Sequence, residues 1–188
     1  MRQLNTETPD NVLVKRTSQG YGNAFGELYD RHFDSLYRYI YFRVSNKQDA
    51  EDLTETIFLR TLETILHKKK NIKNFRAWLF RLAHNILVDH YRSRKFHADI
   101  DEVEYLPEII NVSGENSLDG SDRKLLKDAI TKLEPDLQKV ISYRFIAELS
   151  YAETSEIMGL KVNHLRVLQH RALKQLKYYL SKDFKNHE

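Results

Sequence analysis

The chain has 188 residues, 41% of them apolar and 11% aromatic, with a formal net charge of +3, a composition that can bury real cores and argues against global disorder. It contains no cysteine, which excludes a disulfide framework and a cysteine-ligated zinc site and suits a reducing cytosol. The start from Met1 to Val14 is polar and no stretch approaches the roughly 18 uninterrupted apolar residues of a membrane span, so a cytoplasmic protein without membrane insertion is expected.

Residues 1–20 carry a net +1 and read as an N-terminal extension. From Tyr21 to Lys95 there are 14 basic and 9 acidic residues, a surplus of +5. Within this block Phe25, Leu28, Tyr29, Leu36, Tyr37, Ile40, Tyr41 and Val44 recur at spacings of three and four, the mark of a long amphipathic helix that ends near Ser45. Asn46 is placed to cap the next helix with Asp49 at its third position, and Ala50, Leu53, Ile57, Thr61 and Ile65 continue a buried stripe to about Leu66. His67 to Asn74 is too polar and basic for a core and is expected as an exposed loop. A third helix from Phe75 to Tyr91 gathers Phe75, Trp78, Leu79, Leu82, Ala83, Ile86 and Leu87 on one side, which makes Trp78 a core residue rather than a stacking platform.

Residues 96–122 lose periodicity, collect Pro107, Gly114 and Gly120, and hold 8 acids and no Lys or Arg. They read as an acidic linker, with a short turn near Val103 to Leu106. As a flexible coil such a linker spans roughly 30 Å, and fully extended about 90 Å, so modules roughly 70 Å apart, two turns of duplex DNA, would hold it almost stretched. The last block, 123–188, again carries +5, from 13 basic and 8 acidic residues. Four helices are expected there: Arg123 to Leu133, Asp136 to Ala147 after Pro135, Tyr151 to Met158, and about His164 to Leu180. Ser150-Tyr151-Ala152-Glu153 is a capping box. Gly159 is suited to the left-handed end of the third of these helices, with Asn163 placed to cap the fourth. A short helix, a glycine turn and a longer basic helix is helix-turn-helix geometry, which lays the second helix in a major groove. Leu165, Ala172, Leu176 and Leu180 form that helix's buried stripe, with Leu168 close enough to join it. The fold expected is all-α: two small helical domains, the first of three to four helices and the second of four, joined by the acidic linker.

Two segments then carry a resemblance. Asp49-Ala50-Glu51-Asp52-Leu53-Thr54-Glu55-Thr56-Ile57-Phe58-Leu59-Arg60 resembles the polymerase-binding helix of bacterial sigma factors. Phe75-Arg76-Ala77-Trp78-Leu79-Phe80-Arg81-Leu82-Ala83-His84-Asn85-Ile86-Leu87-Val88-Asp89-His90-Tyr91-Arg92 resembles their promoter-melting helix, and Ser150 to Ala172 their C-terminal helix-turn-helix. Absence of a large intervening domain points to the extracytoplasmic-function (ECF) subgroup of the sigma-70 family. In this likeness 21–95 corresponds to region 2 and 123–188 to region 4.

The resemblance implies a non-enzymatic subunit without cofactor or metal that binds core RNA polymerase as a monomer and recognises promoter DNA, first as duplex and then as a melted strand. A partnering anti-sigma factor is implied as well. Asp49, Asp52, Leu53, Glu55, Phe58 and Leu59 would form the polymerase-binding face. Lys68, Lys69, Lys70, Asn71, Lys73, Asn74, Arg76 and Arg81 would neutralise phosphates and read a base flipped from the stack, a step whose cost of a few kcal/mol must be recovered in a pocket. Asn85, Asp89 and Arg92 lie at successive spacings of four and three, forming one polar stripe toward the melted strand. Lys161, Asn163, His164, Arg166, Gln169, His170 and Arg171 would meet the upstream promoter element. The acidic linker resembles the family segment that threads the polymerase channel. The chain departs from the family pattern at Glu55-Thr56, usually Gln-Glu, and at His164-Leu165-Arg166-Val167-Leu168, usually Thr-Val-Lys-Ser-Arg.

Two other classes compete. A stand-alone helix-turn-helix regulator would need dimerisation to match two half-sites, and no long coiled-coil seam is present to supply it. An enzyme would need a catalytic constellation, yet His84, Asp89 and His90 are spaced onto different helix faces and no phosphate-binding glycine loop or nucleophile elbow occurs.

Overall fold

A computed structural model describes residues 8–68, 72–95 and 120–185. They form helices α1 (Asp10–Ser18), α2 (Gly22–Val44), α3 (Lys47–Lys68), α4 (Phe75–Lys95), α5 (Gly120–Thr131), α6 (Pro135–Ile141), a π-helical turn at Ser142–Ile146, α7 (Tyr151–Met158) and α8 (Val162–Lys185). The architecture is all-α, as the periodicity requires, with no strand among the described residues. Residues 96–119 of the expected acidic linker, with the turn near Val103, lie outside them, whereas Gly120 to Asp122, expected to end the linker, open α5.

In the N-terminal block α2 is the spine. Leu28, Leu36, Tyr39 and Ile40 are completely buried along it and meet Ile57 of α3 and Leu79, Phe80 and Ala83 of α4. Helix α2 stops at Ser45, which adopts the left-handed conformation (φ 62°) and donates its backbone N–H to the Tyr41 carbonyl at 2.9 Å. Asn46 caps α3 as expected: its side-chain oxygen accepts from the Asp49 N–H at 3.0 Å. Ala50, Leu53, Ile57, Thr61 and Ile65 form the buried stripe read from the sequence.

Residues 1–20, set apart by sequence as an extension, contain α1, whose Leu13 and Val14 enter the same core. Asp10 fastens it to α2, accepting from Arg31 Nη1 at 2.5 Å and lying 2.8 Å from His32 Nε2. Burial acts to raise the Asp10 pKa, but the His32 and Arg31 contacts outweigh it and hold the carboxyl below its ordinary value. The helix was missed because nine residues with two buried apolar side chains and no side-chain cap leave little periodic signal.

The C-terminal block has its own core of Ala129, Ile130, Leu133, Leu137, Val140, Ile141, Leu165, Leu168, Ala172 and Leu176. Here the single helix expected from Asp136 to Ala147 is divided. After Ile141 the hydrogen bonding widens, the Ala147 N–H reaching the Ser142 carbonyl at 2.9 Å, and the Ser142 hydroxyl donates back to the Gln138 carbonyl at 2.8 Å. This turn carries Tyr143 out of the C-terminal core and onto Tyr39 of α2, their rings stacked at 5.6 Å and 17°. Tyr143, Ala147 and Leu149 thus belong to the N-terminal core, and the two blocks pack against each other.

Candidate nucleic-acid interface

Helix α4 is the first candidate surface. Asn74 Oδ1 accepts from the Ala77 N–H at 3.1 Å, so this side chain, expected to read bases, caps α4. The Asn at the residue before Phe75 was the signal for this role. Ile72, in the segment expected to be an exposed loop, is buried, and an apolar side chain anchors that end of the loop. Lys73 is exposed; Lys69, Lys70 and Asn71 lie outside the described residues, as does the Lys68 side chain. Trp78 packs against the core, its ring 6.2 Å from Phe75. Asn85, Asp89 and Arg92 are all exposed and form the polar stripe expected.

The stripe is open, but its N-terminal neighbours are engaged. Arg76 Nη2 donates to the Ala147 carbonyl at 2.9 Å, with Nη1 3.8 Å from the Glu153 carboxylate. Arg81 Nη2 donates to the Glu156 carbonyl at 2.5 Å. Both acceptors belong to the C-terminal block. His84, which lines a cleft with Arg81 and Lys139, has its pKa lowered to about 4 by burial and by the Arg43 and Lys139 cations, leaving it neutral at pH 7.

On α3 the acids Asp52 and Glu55 are exposed and Asp49 is half-buried. Leu59 is 54% exposed, whereas Leu53 and Phe58 are 8% and 3% exposed. Phe58 packs among Phe25, Tyr29 and Phe33, with the Tyr29 ring at 4.5 Å. A partner approaching α3 therefore meets acids around Leu59, while Leu53 and Phe58 hold the helix from beneath.

The second candidate surface is α7 with α8. Both bonds of the capping box form: Ser150 Oγ accepts from the Glu153 N–H at 3.2 Å, and Glu153 accepts from the Ser150 N–H at 2.6 Å. Gly159 ends α7 at φ 67°. The turn is closed by Ser155, whose hydroxyl donates to the Leu160 carbonyl at 2.5 Å. Because that closure brings the chain round early, α8 begins at Val162, and Asn163 lies inside the helix rather than capping it. Lys161, Asn163, His164, Arg166, His170 and Arg171 are exposed along one end of α8. Leu168 is buried with Leu165 and Ala172, so the side chain where the family usually has Arg serves the core.

Two supporting residues escaped the sequence reading. The Arg144 guanidinium lies 4.0 Å above the Tyr151 ring and that of Arg166 5.4 Å from it. Arg144 Nε also donates to Gln169 Oε1 at 3.3 Å. Tyr151 and Arg144 thereby orient two of the expected groove residues. Arg144 reaches Gln169 and Tyr151 reaches Arg166 across the turn between helices, and no local spacing signals either contact.

Two family models match this layout: Sigma-70 region 2 over residues 28–97 and Sigma-70, region 4 over residues 123–176. The chain belongs to the ECF subgroup of the sigma-70 family. It is 38% identical over 173 residues to the ECF RNA polymerase sigma factor BldN of Streptomyces coelicolor, covering 91% of this chain and 66% of that one. Against the ECF RNA polymerase sigma factor SigW of Bacillus subtilis it is 28% identical, covering 89% of this chain and 94% of the relative. The chain thus spans about two thirds of the first relative and nearly all of the second. The solved structure of CnrH in complex with the cytosolic domain of CnrY shares the fold at a TM-score of 0.67 and 22% identity, covering 93% of this sigma factor and 98% of that chain. The sigma factor RpoE in complex with the anti-sigma factor NepR from Bartonella quintana matches at a TM-score of 0.61 and 21% identity, over 84% and 96% of the two chains.

Among the described residues of this sigma factor no cluster of three or more His, Asp or Glu is placed to hold a metal ion, and no helix is long and apolar enough to cross a membrane.

Proposed function

We propose that the chain acts as a sigma subunit in the cytoplasm, binding core RNA polymerase and directing it to promoters without catalysing a reaction itself. The single observation that carries this reading is the pairing of the two family regions on one chain, each presenting a polar helix face over its own core. A stand-alone regulator has no use for the first of them.

The roles divide by surface, with 21–95 and 123–188 as the working units and 96–122 as the strap between them. Asp49, Asp52, Glu55 and Leu59 of α3 meet a basic apolar-rimmed surface of the polymerase. Lys73, Arg76, Arg81, Asn85, Asp89 and Arg92 meet the downstream element as it opens, with Lys68, Lys69, Lys70 and Asn71 at the adjoining loop. Lys161, His164, Arg166, His170 and Arg171 donate to phosphates and base edges of the upstream element, with Asn163 and Gln169 beside them. Two fold relatives are solved as complexes, CnrH with the cytosolic domain of CnrY and RpoE with the anti-sigma factor NepR, and an anti-sigma factor is the corresponding partner here.

The test is initiation on a set of bacterial promoter fragments with core polymerase supplied separately. The Asp52→Arg, Leu59→Ala variant should lose polymerase binding and initiation together. The Asn85→Ala, Arg92→Ala variant should keep polymerase binding and lose strand opening. A chain that binds duplex DNA without polymerase, with that binding untouched in the α3 variant and no polymerase binding by either protein, would instead support the stand-alone regulator.

A further inference from the structure

A cleft of about 280 Å3 opens where α4, α6, the π turn and α7 meet, lined by Arg81, His84, Asn85, Asp136, Lys139 and Tyr143. Arg81 and Lys139 bring two positive charges to it. Among the described lining residues the one acid is Asp136, which is largely exposed and pairs with Lys139 at 3.2 Å. Arg81 uses Nη2 on the Glu156 carbonyl, which leaves its other N–H donors for a further acceptor.

Next to Tyr143 and His84 lies Arg43 of α2. Tyr143 stacks on Tyr39 at 5.6 Å, and the Arg43 guanidinium sits 5.8 Å from the Tyr39 ring centre. The charge of Arg43 acts on both His84 and Tyr143, two of the cleft residues. Arg43 is 3% exposed, yet its Nε and Nη2 are buried without a hydrogen-bond partner among the described residues. His84 Nδ1 is buried without a partner as well.

A guanidinium removed from water keeps its proton, so its burial requires a counter-charge as well as acceptors. Tyr39 offers Arg43 only the face of a ring. Water would satisfy the N–H groups and leave the charge uncompensated. Three cations beside unpartnered buried donors call for an anion, and planar guanidinium donors suit a tetrahedral oxyanion. A volume of about 280 Å3 falls short of what encloses a drug-sized molecule, and it fits an ion or a single phosphoryl group.

We propose that this cleft is a binding site for a phosphate-class oxyanion, held by the Arg43 and Arg81 guanidinium groups, the Lys139 ammonium and a ring N–H of His84. Arg43, His84 and Lys139 belong to none of the proposed polymerase or promoter surfaces, so phosphate binding succeeds or fails independently of sigma activity.

The test is titration of the full chain with inorganic phosphate at constant ionic strength, followed by calorimetry and by the urea midpoint. Phosphate should bind saturably, raise the midpoint with the logarithm of its concentration, and shift the His84 ring resonances with the same dissociation constant. Lys139→Gln, at a half-buried position, should weaken binding by about tenfold or more, as loss of one charged donor implies. Arg43→Met should abolish it, and if that variant does not fold, Lys139→Gln decides alone. Adenosine monophosphate titrated in parallel separates the sources: tighter binding than phosphate points to a phosphoryl group on a larger molecule, weaker binding to the free ion, and saturation by either supports the site. Absence of saturable binding by both probes, or a response that Lys139→Gln leaves unchanged, as a general salt effect would be, overturns it.

Discussion

At the scale of single residues the most legible features were caps, because capping depends on local spacing and little else. Asn46 and the Ser150–Glu153 box form the bonds their spacing implies. Ser150→Ala should cost about 1 kcal/mol, the usual value of a lost N-cap, read as a lower urea midpoint with an unchanged slope. Asn74 shows the opposite failure: its position in a basic segment suggested base reading, while its side chain caps α4. His84 gives a pH signature. Its folded pKa of about 4 lies below the unfolded value of 6.5, so between these limits the unfolded chain binds more protons and stability falls as pH drops from 6.5 toward 4. His84→Gln should flatten the urea midpoint across that window, and an unaltered slope would place the proton uptake elsewhere.

At the scale of helices, α2, α3, α4 and α7 were readable from spacing because each has a long apolar stripe or a strong cap. Leu28 and Leu36, both fully buried on α2, anchor the first core, and Leu28→Ala should cost about 2–5 kcal/mol in urea denaturation. The departures came where tertiary contact overrides local pattern. The π turn after Ile141 places Tyr143 against Tyr39, a pairing between residues roughly a hundred positions apart that periodicity does not encode. On α3, spacing identified a polar face but did not separate Leu59, which is exposed, from Leu53 and Phe58, which are not. On α8, Arg166 is exposed and supported by Tyr151. Arg166→Ala should weaken duplex binding and, if the contact is to a phosphate, reduce the slope of log affinity against log salt by about 1. A salt-independent affinity would remove the basic α8 face as a DNA surface.

At the scale of the whole molecule the two basic blocks and acidic strap were visible in charge alone, and the all-α division into two cores followed from the helix patterns. The contact between the cores was not visible, because it joins α2 and α4 to Tyr143, Leu149, Ile157 and Met158 across the strap. Lys127 at that seam has its pKa lowered to about 8, chiefly by burial and against the opposing effect of Asp128. The charged Lys127 is therefore penalised in the folded chain below about pH 8, and stability should rise with pH from there toward 10.5, read as a rising urea midpoint.

The central claim is that this chain is a subunit of the transcription machinery rather than a free regulator, and co-elution with core RNA polymerase stripped of its own sigma subunit tests it most directly. The chain should co-elute at one-to-one stoichiometry, and the Asp52→Arg, Leu59→Ala variant, which spares the buried Phe58, should not. A well-folded chain that elutes apart from the polymerase under conditions where a known ECF sigma factor binds would contradict the account.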